Sequence, residues 1–283
     1  KNSYYIKDNK IRIQGMKQWM RVRGLEQVKG EIACATLVRK TGDYYLHVTT
    51  YTKPETKVIP EVVIGIDFGC ETQLTFDNGI KVKFQVTTSK RLRKLDRKIM
   101  KCKRPNSKNK EKDKVKRRKE YERLTNKRTD IRHKLVNAIK SHHKYVCFQN
   151  ESIHAWHSGN HSKKVQFSGI GGIISDLKHK SHTPLEVNKF FPSTKMCPNC
   201  GKKNQIKLEN RLYRCECGYE LDRDAKSAIC IRDEAIKQIP MEHRKFTLGE
   251  ISTSTFLSVL SKINGIQVSK LESLSQEAPT YLG

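Results

Sequence analysis

The sequence reads as an α/β protein carrying a small metal-binding insertion. Val62-Val63-Ile64-Gly65-Ile66 and Tyr145-Val146-Cys147-Phe148 are short apolar runs of the kind that become buried central strands, with stretches of helical periodicity between and after them. Cys197 and Cys200 form a C-x-x-C knuckle, and Cys215 and Cys217 supply a second pair after fourteen intervening residues. That is the ligand pattern of one tetrahedral structural zinc. The turn residues Pro198, Asn199, Gly201 and Gly218 leave the sulfurs little apolar packing to serve instead.

At 283 residues the chain can bury a sizeable core, as one large domain with a small one beside it. It opens at Lys1 and not at Met, so a preceding region is expected. Lys and Arg number 57 against 29 Asp and Glu, a formal net charge of +28, which points to a polyanionic partner and first to nucleic acid. A membrane surface is the weaker candidate: no run approaches the ~20 apolar residues of a span, and no signal-peptide pattern opens the chain. Of nine cysteines, the five outside the metal pattern (Cys34, Cys70, Cys102, Cys147 and Cys230) are scattered and odd in number. A reducing cytoplasmic setting, associated with the nucleoid, is expected.

In chain order, Ile11 and Ile13 alternate, and Glu31 to Val38 and Tyr44 to Tyr51 are β-rich runs joined at Lys40-Thr41-Gly42-Asp43 as a hairpin. After Asp67, Gly69 turns the chain into hairpin strands at Leu74 to Phe76 and Ile80 to Val86, with Asp77-Asn78-Gly79 between. From Ser89 to His143 the chain is basic and helical. Leu92, Leu95 and Ile99 mark one helix, while Tyr121, Leu124, Ile131, Leu135 and Ile139 mark a longer second. Lys103 to Lys114, with Pro105 and Asn106, connects them as a helical hairpin whose charge would repel itself unless phosphates neutralise it.

His154, His157 and His161 come at near-helical spacing, but Ser158-Gly159-Asn160 breaks that helix and they read as loop histidines, not ligands. Gly169, Gly171 and Gly172 lack the Gly-Lys-Ser/Thr ending of a phosphate loop and read as a lead into a helix at Ile173, Ile174 and Leu177. Val187 to Phe191 reads as a further strand, and Pro192-Ser193-Thr194-Lys195 leads to the cysteines. Beyond Gln238 the tail offers a modest helix near Phe256 to Ile263.

Three acids stand out by position. Asp67 ends one apolar strand and Glu151 follows another. Asp224 opens a helix marked by Ala225, Ala228, Ile229, Ala235, Ile236 and Ile239, with Arg232 the one polar interruption. Singly, each has a plain explanation as a turn-capping or helix-capping acid. Together they are a common minimum for phosphodiester hydrolysis by two divalent ions ~3.5–4 Å apart. Magnesium keeps several waters and needs few protein ligands, so Asp67, Glu151 and Asp224 would suffice.

Gly65-Ile66-Asp67-Phe68-Gly69, Asn150-Glu151, Phe191-Pro192-Ser193-Thr194-Lys195, the four-cysteine ribbon and Leu221-Asp222-Arg223-Asp224 together resemble the RuvC-type nuclease half of the TnpB family. These are transposon-encoded RNA-guided DNA endonucleases related to miniature type V CRISPR effectors. The resemblance implies an RNase H-like (RuvC) domain with an inserted basic helical hairpin and zinc ribbon, preceded by part of a wedge-type β-barrel. It implies Mg2+ on Asp67, Glu151 and Asp224, with Asp222 and Arg223 in support, and guide RNA and target DNA as partners; a homodimer is also allowed. The implied division is 1–60 wedge barrel, 61–88, 144–196 and 219–240 the three RuvC parts, 89–143 hairpin, 197–218 ribbon and 241–283 tail. The chain departs from the family in having Lys226-Ser227-Ala228 where Asn-Ala-Ala is frequent, and in its tighter C-x-C second knuckle.

Two other functions compete with a guided endonuclease. An RNA-guided repressor or transposition accessory without cleavage would be expected to have lost an acid, and all three are present. A cut-and-paste transposase of the RNase H-like class would need the order Asp, Asp, Glu, whereas this chain reads Asp, Glu, Asp.

Overall fold

The computed structural model of the protein describes residues 4–53, 59–84, 86–104, 107–158, 162–206, 210–244, 247–248 and 253–271. The chain divides into two units, Lys1–Lys57 with Arg91–Glu122, and Val58–Lys90 with Arg123–Gly283.

In the first unit, β1 (Tyr4–Lys7), β2 (Lys10–Ile13) and β3 (Met20–Arg21) form an antiparallel three-stranded sheet. Asp8 and Asn9 make its first turn with φ of 46° and 58°, a left-handed conformation that short polar side chains tolerate. β4 (Glu31–Lys40) and β5 (Asp43–Tyr51) pair as the expected hairpin, with Thr41 and Gly42 at φ of 44° and 93°. These two small sheets are the strand content of the stretch read as a wedge barrel, among its described residues. α1 (Lys90–Lys101) and α2 (Lys108–His142) follow the periodicity read for them. Pro105 and Asn106 of their connection lie outside the described residues. Arg117 pairs with Asp96 at 3.1 Å and Arg91 with Glu120 at 3.5 Å, tying the first half of α2 to α1. The second half of α2 belongs to the other unit.

The second unit is built on a mixed sheet. β6 (Val62–Phe68), β7 (Leu74–Phe76) and β8 (Ile80–Lys83) form an antiparallel meander, and β9 (Tyr145–Gln149) pairs parallel with β6. Three helices follow, α3 (Ile153–His157), α4 (Ser162–Ser168) and α5 (Ile170–Lys180), before β10 (Thr183–Val187) pairs parallel with β9. β11 (Leu212–Arg214) and β12 (Glu220–Asp222) make a separate two-stranded ribbon leading straight into α6 (Arg223–Ile236). β13 (Thr247–Leu248) joins β6, and after α7 (Thr253–Ser261), β14 (Gln267–Lys270) pairs with β8.

The sheet order is β10-β9-β6-β7-β8-β14. Ile64, Ile66 and Phe68 face a cluster with Ile131, Leu135 and Ile139 of α2, Ile173 and Leu177 of α5, and Phe256 and Leu260 of α7. Val63 faces the opposite side, with Cys147, Val187 and α6 residues Ile231 and Ala235. Burial on both faces is why β6 and β9 read as unbroken apolar runs. A mixed sheet covered in this way fits an RNase H-like fold. Among the described residues no helix is long and apolar enough to cross a membrane.

Two expectations need correction. The strand read at Val187–Phe191 lies earlier, at Thr183–Val187. The chain turns at Asn188, whose side-chain oxygen accepts the Phe190 N–H at 2.9 Å. The stretch read as a tail is part of the fold: β13 and β14 extend the central sheet, and Phe256 and Leu260 are fully buried.

His143 follows α2 inside the first of these clusters. It is 2% exposed, its ring meets Phe256 edge-on at 4.8 Å, and its Nδ1–H donates to the Ile139 carbonyl at 3.0 Å. Burial pushes its pKa down to about 4, below the ~6.5 of a free imidazole. A histidine depressed on folding contributes stability that is complete above about pH 6.5 and is lost as the pH falls towards 4. The amount is on the order of 3 kcal/mol. The melting temperature should fall between pH 7 and 4.5, and His143→Gln should flatten that fall. An unaltered slope in the variant would exclude His143 as its cause.

Candidate active site and metal centre

Strand alternation puts Val63, Gly65 and Asp67 on the α6 side of β6. Gly65 sets how closely the helix approaches, since a Cβ there would lie 2.3 Å from the Ala228 carbonyl oxygen and 2.8 Å from Arg232 Cβ. From that contact Asp67 lies two strand residues onward, ~6.6 Å. Asp224 lies four helix residues back, ~6 Å, so the two carboxylates come level. Glu151 arrives from the parallel neighbour β9, whose Phe148 is registered with Ile66.

The electrostatics report the meeting. Burial first, and then the charges of Asp224 and Glu151, push the Asp67 carboxyl well above the ordinary range, against the pull of Arg223 and Lys226. Burial raises Glu151 as well. Among the described residues, the four thiols are the ligand group held within 4.8 Å of one another. Gly65→Ala is expected to cost about 1–3 kcal/mol by overpacking and to shift Asp224 away from Asp67. An unchanged melting temperature would contradict the close approach.

Asp222 caps α6, its Oδ1 accepting the N–H groups of Asp224 and Ala225, each at 3.1 Å, while Lys81 donates to its Oδ2 at 2.7 Å. The cap is therefore Asp222 alone, and Asp224 is left to face the site. Arg223 donates to Asp224 Oδ1 at 3.3 Å. Arg211, just ahead of β11, approaches Asp224 Oδ2 at 3.6 Å and Glu71 at 2.6 Å. Its position between the cysteine pairs gives no sign of this, because it meets Asp224 only after the ribbon folds back on α6.

Cys197 and Cys217 place their sulfurs 3.6 Å apart, and Cys200 and Cys215 3.5 Å apart. Four Zn–S bonds of ~2.3 Å in a tetrahedron imply sulfur separations of ~3.8 Å, so number, type and spacing of donors fit zinc. Backbone N–H groups two residues onward, those of Cys217 and Tyr219, hold the Cys215 and Cys217 thiols below their ordinary range, while Cys200, despite the Lys202 N–H, is pushed up to about 12 by desolvation and its neighbouring thiols. The cluster is compatible with a structural zinc site.

Lys226 ties this ribbon to α6. It is fully buried, and its ammonium donates to the carbonyls of Ser193, Thr194 and Met196 at 2.8, 2.7 and 3.0 Å while lying 4.2 Å from the Tyr213 ring centre. The departure at Lys226-Ser227-Ala228 thus carries a structural contact. Arg232, the polar interruption of the helix stripe, pairs with the buried Asp77 at 3.0 Å and with Asp233 at 2.8 Å. Among the histidines read as non-ligands, His154 is exposed on α3 and His157 ends that helix. His161, with the Gly159-Asn160 break, lies outside the described residues.

The mixed sheet fits an RNase H-like fold, and the ribbon beside it carries four thiols. Residues 46–148 match the family profile described as "Probable transposase", and residues 175–231 match "Cas12f1-like, TNB domain". These two matches, together with the relatives that follow, support the TnpB family. It is 26% identical over 174 residues to a "Putative RNA-guided DNA endonuclease" of Streptomyces pristinaespiralis, covering 58% of this chain and 43% of that one. A protein of the same description, InsQ of Escherichia coli (strain K12), is 28% identical over 141 residues, 48% of this chain and 34% of its own. "TnpB-like protein L79" of Acanthamoeba polyphaga mimivirus is 28% identical over 158 residues, 50% of this chain and 30% of its own. The matched stretch spans less than half the length of each of these curated relatives.

Proposed function

We propose that this chain is the nuclease portion of an RNA-guided DNA endonuclease of a transposable element, and that Asp67, Glu151 and Asp224 hold two Mg2+ ions at its site. The observation that carries this reading is the approach of Asp224 and Glu151 to a half-buried Asp67, whose ionisation they oppose. A divalent cation would relieve that repulsion. Bound there, magnesium supplies an activated water and positive charge for the leaving oxygen. Asp67 and Asp224 are held level by the Gly65 contact, and Asp222 fixes the first turn of α6 without occupying the site. Arg211 and Arg223 stand beside Asp224 as fixed cations that a scissile phosphate would meet. Zinc on Cys197, Cys200, Cys215 and Cys217 holds the ribbon that delivers Arg211.

The partners are guide RNA and target DNA. RNA pairing reads the sequence, and the protein reads backbone and a short flanking motif. The basic hairpin of α1 and α2 carries the heteroduplex contact, and residues 1–60 end a wedge-type β-barrel. The second reading, a guided DNA-binding repressor or transposition accessory, is disfavoured because all three acids are retained.

The test is to sequence the nucleic acid that co-purifies with the full-length protein. Washing is at moderate salt, since six to ten phosphate contacts lose ~10³–10⁵ in affinity between 50 and 200 mM. One structured RNA with a variable end is expected. A heterogeneous mixture, or none, would overturn the guided reading.

A further inference from the structure

β6, β9 and β10 run parallel, so their C-terminal ends share one edge of the sheet. Asp67 lies at the end of the first, Glu151 just past the second, and residues 188–191 turn just past the third. That turn is firmly built. Gln149, 5% exposed and two residues before Glu151, donates from Nε2 to the carbonyls of Asn188, Lys189 and Phe191 at 3.0, 3.2 and 2.8 Å. Its Oε1 accepts the Ser193 hydroxyl at 3.1 Å. The product of this clamp is a ring held in solvent: Phe190 is 80% exposed, with the Lys189 ammonium 4.7 Å from its centre. Beside it opens a cavity of about 680 Å³ lined by Glu186, Val187, Asn188, Phe191, Lys237 and Gln238 among others. Glu186 is paired with Lys178 at 2.6 Å, and Glu234, which also lines the cavity, with Lys237 at 2.8 Å, so both charges are compensated next to an approaching phosphate.

An aromatic ring presented by a rigid turn, with a cation against it, in a chain of net charge +28, is how proteins hold single strands without reading their sequence. We propose that Phe190 is a stacking platform for one base of the single DNA strand led to the three acids, with Lys189 on its phosphate. This deepens the nuclease reading and rests on it for the identity of the strand.

The test uses the full-length protein with its zinc and bound RNA, silenced by Asp67→Asn. The probe is a fluorescent single-stranded DNA of about ten nucleotides, a length within the span of one single-strand site, carrying 5-iododeoxyuridine. Phe190→Ala should weaken binding about ten-fold, the loss of one stacked base. Phe190→Tyr should keep the affinity and Phe190→Leu should not, and the photo-crosslink should map to Phe190. A duplex of the same sequence should bind Phe190→Ala and its parent alike. Equal single-strand affinity of parent and Phe190→Ala overturns the platform, as does self-association that Phe190→Ala abolishes with DNA affinity untouched. Absence of cutting by the unsilenced protein would refute the nuclease reading instead, and the affinity ratio would still decide the platform. Phe190 is exposed, so Phe190→Ala should melt with its parent.

Discussion

Asp67→Asn is expected to lower DNA cutting by at least about 10³-fold, at or beyond the loss that follows removal of one group from a preorganised electrostatic site. It should do so while leaving nucleic-acid affinity nearly intact. The same change should raise the melting temperature in the absence of magnesium. The Asp67 carboxyl is raised by burial and by the charges of Asp224 and Glu151. A carboxyl raised on folding contributes stability below its unfolded pKa and loses it as the pH climbs through the folded value, so at neutral pH the ionised group opposes folding. Asparagine removes that opposition. Asp224→Asn should also abolish cutting. A variant that cuts normally would remove Asp67 or Asp224 from the site, and one that neither cuts nor binds would point to misfolding.

Removal of zinc carries the other large effect. Structural zinc contributes ~10–16 kcal/mol in small finger peptides, comparable to the ~5–15 kcal/mol of a whole domain. Chelation, or Cys200→Ser with Cys215→Ser, should therefore unfold the ribbon. The damage should reach the acids through two routes: Arg211, which lies between the cysteine pairs and approaches Asp224, and Lys226, which binds the carbonyls of residues leading into the first knuckle. Elemental analysis should find one zinc per chain in the parent and none after treatment, with cutting lost in parallel. Full cutting and an unchanged melting temperature in zinc-free protein would contradict this coupling.

The parts of this protein legible in its sequence are those fixed by local physics. β6 and β9 declare themselves because each is covered on both faces, and the four cysteines because their paired spacing is that of a tetrahedral donor set. Asp67, Glu151 and Asp224 are the acids that neighbour those elements in sequence. What escaped depends on contacts distant in sequence. Arg211 and Lys226 acquire their partners only when the ribbon packs on α6. β14, Gln-Val-Ser-Lys, is a four-residue edge strand without an apolar pattern and gains its place from pairing with β8. The strand expected at Val187 to Phe191 lies instead at Thr183–Val187, because an Asn188 side chain and the Gln149 clamp turn the chain beyond it.

The most direct measurement is cleavage of a plasmid by the full-length protein loaded with its co-purified RNA, and then with the variable end of that RNA rewritten to match a second site. Magnesium-dependent cutting that moves to the second site, and is absent with Asp67→Asn, is the predicted result. Cutting that ignores the rewritten RNA, or that persists without Asp67, would contradict an RNA-guided site built on these three acids.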